Sequence, residues 1–246
     1  RVMATCSAIG QGTGTAAAFA IQNGVEPSSL PNDSGAMQSI RQQLLRDDSL
    51  LLGCQNEDSR DLARQATVTA SSEQVNGPAS AVVDGWTRSL RSLSKNRGEG
   101  VIGAPPDRFP KATHRWMSNP TKGLPAWICF SWDDSITVGT IELIFDTGMH
   151  RLLTLSMADG YTDRMLWGKP QPETTRDYLI EAMVDGQWIL AQHQQANYQR
   201  HRIHNLTTPV KTNSLRIQFM NTNGIDHARL FEARIYSPDA QGLFLQ

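Results

Sequence analysis

Three glycines fall within five positions, Gly10-Gln11-Gly12-Thr13-Gly14, and run directly into Thr15-Ala16-Ala17-Ala18. A glycine loop that opens a helix is a place for an anion. Unpaired backbone N–H groups and the positive end of the helix dipole converge there, and the missing side chains let a ligand approach closely. The spacing is not GxGxxG, and glycine-rich helix starts also occur where two helices pack closely, so spacing alone leaves both readings open. Cys6 stands just before this loop, with no second cysteine in CxxC reach, and reads as a small buried thiol rather than a redox group. Residues 87–115 hold seven Lys/Arg against Glu99 and Asp107. Such an excess suits an anionic glycan, phosphate or lipid, or simply a solvated loop. His193, His201 and His204 suggest a metal, but on a strand His201 and His204 face opposite sides, which makes them surface histidines. No Ser-His-Asp arrangement or supported carboxylate pair is visible, so hydrolysis has no positive sign.

The elements that must position these residues change character along the chain. The 246 residues carry 23 Lys+Arg and 24 Asp+Glu, a formal net charge of −1. That balance excludes a strongly basic nucleic-acid binder. Three scattered cysteines make neither a disulfide framework nor a zinc site. No apolar run reaches the roughly 18–20 residues of a membrane span. The alanine-rich run after Gly14 predicts a helix that stops at Gly24, and Met37, Ile40 and Leu44 predict a second from Ala36 to Asp47. Residues 54–65 turn polar and read as a linker. Short β-type segments follow at 66–70, 126–131, 138–145, 152–157, 178–184, 187–192, 198–203, 214–220 and 229–236, the pattern of a β-sandwich or barrel. Asp185-Gly186 predicts a type I′ hairpin between two of them.

The stretch Arg1-Val2-Met3-Ala4-Thr5-Cys6 through Gly10-Gln11-x-x-Gly14-Thr15-Ala16-Ala17-Ala18, followed by Ile40-Arg41-x-x-Leu44, resembles the C-terminal end of FAD-dependent oxidoreductases of the glutathione-reductase-like, fumarate-reductase-like kind. The resemblance covers residues 1–53 and implies that Gly10, Gln11, Gly12, Gly14 and Thr15 close over a flavin, whose reduced pyrimidine edge a helix N-terminus stabilises. Gly12 and Thr13 depart from the family's small alanine-type residues. A dinucleotide fingerprint appears nowhere in the chain. The expectation is therefore a parent that uses FAD, an upstream flavin domain as partner, and no redox activity in this chain alone.

Ala70-Ser71-Ser72, Ala79-x-x-Val82-Val83-Asp84-Gly85, Arg115-Trp116-x-Ser118, Pro125-Ala126-Trp127-Ile128-Cys129-Phe130, Val138-Gly139-x-Ile141-Glu142-Leu143 and Leu230-x-Glu232-x-Arg234-Ile235-Tyr236 occur in this order. Together they resemble galactose-binding-like, discoidin-type domains over residues 66–238. The resemblance implies a mainly β fold, a galactose-binding-like β-sandwich (jelly roll), with ligand-binding loops at one end. An extracytoplasmic setting rests on it alone. A sugar needs an aromatic face and polar groups for its hydroxyls, which makes Trp86, Arg88, Arg115, Trp116, Asn119 and Trp167 the carbohydrate candidates. Trp116 and Trp127, beside strands, read first as core; Trp86 and Trp167 lie in loops. The same resemblance implies a calcium, with Asp84 and Glu232 giving part of its oxygen shell, although Glu232 reads equally as an ion-paired strand residue.

The chain thus reads as a two-helix remnant of a flavoprotein domain at 1–53, a linker at 54–65, a sandwich at 66–238 and a tail at 239–246. Apolar surface left exposed on the two helices is the physical expectation of that division.

Overall fold

The computed structural model describes residues 2–51, 54–89, 113–149, 166 and 168–240. The expected strand at 152–157, most of the basic stretch 87–115, and Trp167 lie outside the described residues. Two units divide the chain, with Ser59 ending the first and Arg60 opening the second.

In the first unit, helix α1 (Val2–Asn23) is continuous through all three glycines. A helix start at Thr15 is therefore corrected. Glycine in a helix interior costs about 1 kcal/mol relative to alanine but does not break it, whereas proline does; the first proline is Pro27. The helix stops at Gly24, which takes the left-handed conformation at φ +62°. Helix α2 (Ser34–Arg46) starts where Asp33 accepts a hydrogen bond from the Ala36 N–H at 3.0 Å. Its Ala36, Ile40 and Leu44 pack with Phe19, Ala20 and Leu30 into a small core. The two helices differ in exposure. Helix α2 buries its apolar face, but Met3 and Ile21 of α1 are 80% and 83% exposed, and Cys6 is exposed rather than buried.

The polar stretch at 54–65 is packed rather than free. Gln42 of α2 donates to the Gln55 carbonyl at 3.0 Å and accepts from the Glu57 N–H at 2.8 Å. Residues 60–65 join the second unit: Asp61 accepts from the N–H groups of Ala63 and Ile235, and the Leu62 carbonyl accepts from the Trp132 indole at 2.8 Å.

The second unit contains β1 (Thr67–Ala70), β2 (Trp116–Met117), β3 (Ala126–Phe145), β4 (Thr175–Val184), β5 (Gln187–Gln194), β6 (His201–Thr222) and β7 (Arg229–Tyr236). Four expected segments merge into two long strands, because β3 and β6 pair along their whole length with register shifts between Ser131/Ile136 and Val138/Thr140. Those bulges let the ladder fold over on itself. The first half of β3 joins β1, the second half of β6, β4 and β5 in one layer; its second half joins the first half of β6, β7 and β2 in the other. Inner faces meet in one apolar core. Trp116 lies 5.1 Å from Phe219, and Phe145 lies 5.2 Å from Tyr178, each pair bridging the layers. The molecule's second unit is an antiparallel β-sandwich, as expected. The β4–β5 hairpin turns at Asp185 (φ 50°) and Gly186 (φ 78°), the positive pair that a type I′ turn requires.

Candidate functional site

Both ends of the folded β3–β6 ladder emerge on one side, so the loops after β3 and β6, before β4 and around 84–89 and 113–119 converge there. The Thr174 hydroxyl donates to the Asp146 carbonyl at 3.0 Å, and the Asn223 amide donates to the carbonyls of Thr174 and Asn197. Arg200 reaches the carbonyls of Phe145 and Thr87. At the centre is a buried ion cluster. Asp146, 1% exposed, takes Arg115 (2% exposed) at 2.7 Å and Arg229 at 3.2 Å on one oxygen, while its other oxygen accepts the Gly148 N–H. Arg115 and Arg200 both lie over the Phe231 ring, at 5.7 and 5.1 Å. His227 accepts from Arg229 and contacts Asp226 at 2.7 Å; the hydrogen bond to His227 holds the exposed Asp226 carboxyl below its usual range.

Beside this hub lies Trp86, half-buried, 5.6 Å from the His114 ring. Asp84 fixes both: one oxygen accepts the Trp86 backbone N–H at 2.9 Å, the other contacts His114 Nδ1 at 2.8 Å. His114 is held at φ +44°, a backbone conformation that non-glycine residues adopt at a cost and that clusters at binding sites. The Trp86 indole N–H has no partner among the described residues. That distinguishes it from Trp116 and Trp132, whose N–H groups donate to the Ser72 and Leu62 carbonyls.

The carbohydrate candidates therefore separate. Trp86 stands in the loop cluster and Arg88 is half-buried two residues on. Arg115 is committed to Asp146, Trp116 is fully buried in the core, and Asn119 caps the turn after it by accepting from the Thr121 N–H and hydroxyl. Trp127 is half-buried on an outer face, not in the core. Sequence reasoning missed His114, Asp146, Arg200, Arg229 and His227. Four of them come from loops and Arg229 from the start of β7, and only the Asp146-Thr147-Gly148 turn following a strand was a local sign.

The calcium reading does not fit the geometry. Asp84 is engaged by His114 and Trp86, while Glu232, 1% exposed, is paired with Arg234 at 2.9 Å, a cation that would repel a metal. Among the described residues no group of three or more His, Cys, Asp or Glu could hold a metal ion. The flavin reading fares similarly at Gly10, Gln11, Gly12, Gly14 and Thr15. Inside α1 their N–H groups belong to the helix ladder, so no helix N-terminus is presented there. His204 is also corrected. It is buried, accepts the Tyr178 hydroxyl at 2.7 Å, and is pushed down to about 4, first by burial and then by the charge of Arg202.

No family model and no curated protein matches the sequence. Solved structures do resemble it in fold. The family 32 carbohydrate-binding module of Clostridium perfringens NanJ, in complex with galactose, is 16% identical over 71% of this chain and 96% of its own, with a TM-score of 0.48. The family 32 module of Streptococcus pneumoniae EndoD is 16% identical over 72% and 99%, with a TM-score of 0.48. A His 62 mutant of the lectin binding domain of Lectinolysin, complexed with Lewis b, is 14% identical over 73% and 97%, with a TM-score of 0.47. Among the described residues no helix is long and apolar enough to cross a membrane.

Proposed function

We propose that the sandwich is a non-catalytic carbohydrate-binding module that takes its ligand at the loop end, with Trp86 as the platform. The observation that carries this reading is the half-buried Trp86 indole, set by Asp84 and His114 on an ion-paired base, with its N–H unclaimed among the described residues. An indole face covers the C–H surface of a pyranose while its N–H and neighbouring Arg88 and His114 meet the hydroxyls. The order of motifs from Ala70 to Tyr236 supports the same reading. On a glycan array the full chain retains galactose-type or related glycans, and Trp86→Ala weakens that binding by roughly tenfold or more, the cost of a hot-spot aromatic. Equal binding by Trp86→Ala and the native chain would overturn the assignment.

A second observation favours a docking role for the first unit. Helix α1 carries no charged residue over 22 positions and exposes Met3, Ile9 and Ile21. Beyond the helix's own backbone, a Cβ added at Gly10, Gly12 or Gly14 would meet nothing within 4 Å among the described residues, none of which requires these three costly glycines. Close approach of another backbone would use them. The occupant that the resemblance over residues 1–53 implies is the flavin domain of a modular parent. The coding sequence preceding Arg1 tests this: a dinucleotide-binding βαβ unit supports it, and its absence overturns it.

A further inference from the structure

The outer face of the β1–β3–β6–β4–β5 layer carries two tryptophans that the loop end does not use. Along β3, Ala126, Ile128 and Phe130 are buried while Trp127, Cys129 and Ser131 alternate outward. Cross-strand register sets the rest of the face. Trp127 stands opposite Gln218, which stands opposite Leu179, which stands opposite His193. Cys129 stands opposite Arg216, Arg216 opposite Glu181, and Glu181 opposite Leu190. Trp188 stands opposite Met183. Contacts confirm the shared side: Arg216 lies over the Trp188 ring at 4.3 Å and reaches Glu181 Oε2 with Nε at 2.9 Å and a terminal nitrogen at 2.8 Å.

We infer that this face is a second carbohydrate-binding surface, for an extended polysaccharide chain rather than a single sugar, with Trp127 and Trp188 as its two stacking positions. Their placement sets the ligand's size. Three strand spacings and four residues along the strands separate them, about 20 Å on the diagonal. One monosaccharide cannot bridge that distance; a glycan chain can. The chemistry between them argues for sugar over protein. A protein interface core is apolar and depleted of charge, whereas here Gln218, the Arg216–Glu181 pair, Ser131, Ser214 and His193 interleave with the aromatics. The indole N–H groups of Trp127 and Trp188 and the Gln218 amide have no partner among the described residues, unlike the indole N–H groups of the inward Trp116 and Trp132. Planar rings for C–H surfaces and unclaimed donors for hydroxyls are what a polysaccharide needs. Leu190, 55% exposed, marks the β5 edge as open to solvent.

Affinity electrophoresis of the full chain through gels containing xylan, hydroxyethylcellulose or laminarin, polymers without galactose, tests the inference. The native chain is retarded by at least one of these polymers. Trp127→Ala and Trp188→Ala each weaken the retardation roughly tenfold or more, and Trp86→Ala leaves it in place. Because both side chains face outward, circular dichroism and melting temperature of the two variants stay near native values, and a conservative Trp188→Phe restores most of the binding. Retardation by none of the polymers, native retardation of both alanine variants, or loss of all polymer binding in Trp86→Ala alone would overturn it. Failure of the loop-end reading is a different result: glycan-array binding indifferent to Trp86 with polymer retardation still dependent on Trp127 and Trp188.

Discussion

Asp146→Ala unfolds at a markedly lower urea concentration than the native chain, with a stability loss of about 3–5 kcal/mol, the cost of removing one partner from a buried ion pair. The native cluster places Arg115 and Arg229 on one carboxylate oxygen in a site from which water is nearly excluded. Removing the carboxylate leaves two cations facing each other, with Arg115 2% exposed and unable to reach solvent. The Gly148 N–H also loses its acceptor. Since β3, β7 and the 113–119 loop meet at this carboxylate, the loss extends to the loop end and to any ligand held by Trp86. Equilibrium urea denaturation measures it. A loss below about 1 kcal/mol, the value of an exposed pair, would refute the cluster as the base of the site.

The second large effect is in the pH dependence of stability, where two buried groups oppose each other. Burial, seconded by the charge of Glu232, pushes Asp61 up to about 7 against the pull of the Ile235 and Ala63 N–H groups and of Arg234. Burial pushes His204 down to about 4. Asp61 is held neutral by the fold, so its stabilising contribution is complete below pH 4 and is lost as pH rises through 7. His204 is also held neutral, so its contribution is complete above about 6.5 and is lost as pH falls through 4. Each is worth on the order of 3 kcal/mol. In the native chain the two slopes largely cancel between pH 4 and 6.5. Asp61→Asn, which keeps an acceptor for Ile235 and Ala63, exposes the histidine slope, and stability then rises with pH. His204→Gln, which keeps an acceptor for the Tyr178 hydroxyl, exposes the aspartate slope, and stability then falls with pH. Urea titrations from pH 3.5 to 8 decide the matter; profiles parallel to the native one in both variants would exclude this coupling.

Several structural readings followed from the residues alone. The β-type segments at 126–131 and 229–236, Asp185-Gly186 between apolar runs, and the Met37-Ile40-Leu44 spacing each encode a local preference that the packed chain retains. Local sequence also separated the helical first part from the β-rich remainder, because a change of hydrophobic period needs no partner to be seen. Where a preference was weak, neighbours decided. The glycines at 10, 12 and 14 read as a loop, yet a run without proline continues the helix across them. The polar stretch at 54–65 read as a linker, yet its carbonyls and carboxylates satisfy donors on α2, β3 and β7.

The candidate site was legible only in part. Trp86 could be singled out because an indole in a loop has no strand to bury it. His204 looked like a surface residue because alternation places a side chain on one face or the other but cannot say which face is covered. Arg115 looked like a ligand contact because nothing near it in sequence announces Asp146, 31 positions away, as its counter-ion. Period, turn chemistry and motif order are short-range properties that the amino-acid sequence determined by itself. Which charges become buried pairs, which tryptophan faces the core and which faces water, and which loops meet are long-range properties. Only the folding of the β3–β6 ladder onto itself decided them, by bringing both of its ends to one side and setting one sheet face inward and the other toward solvent.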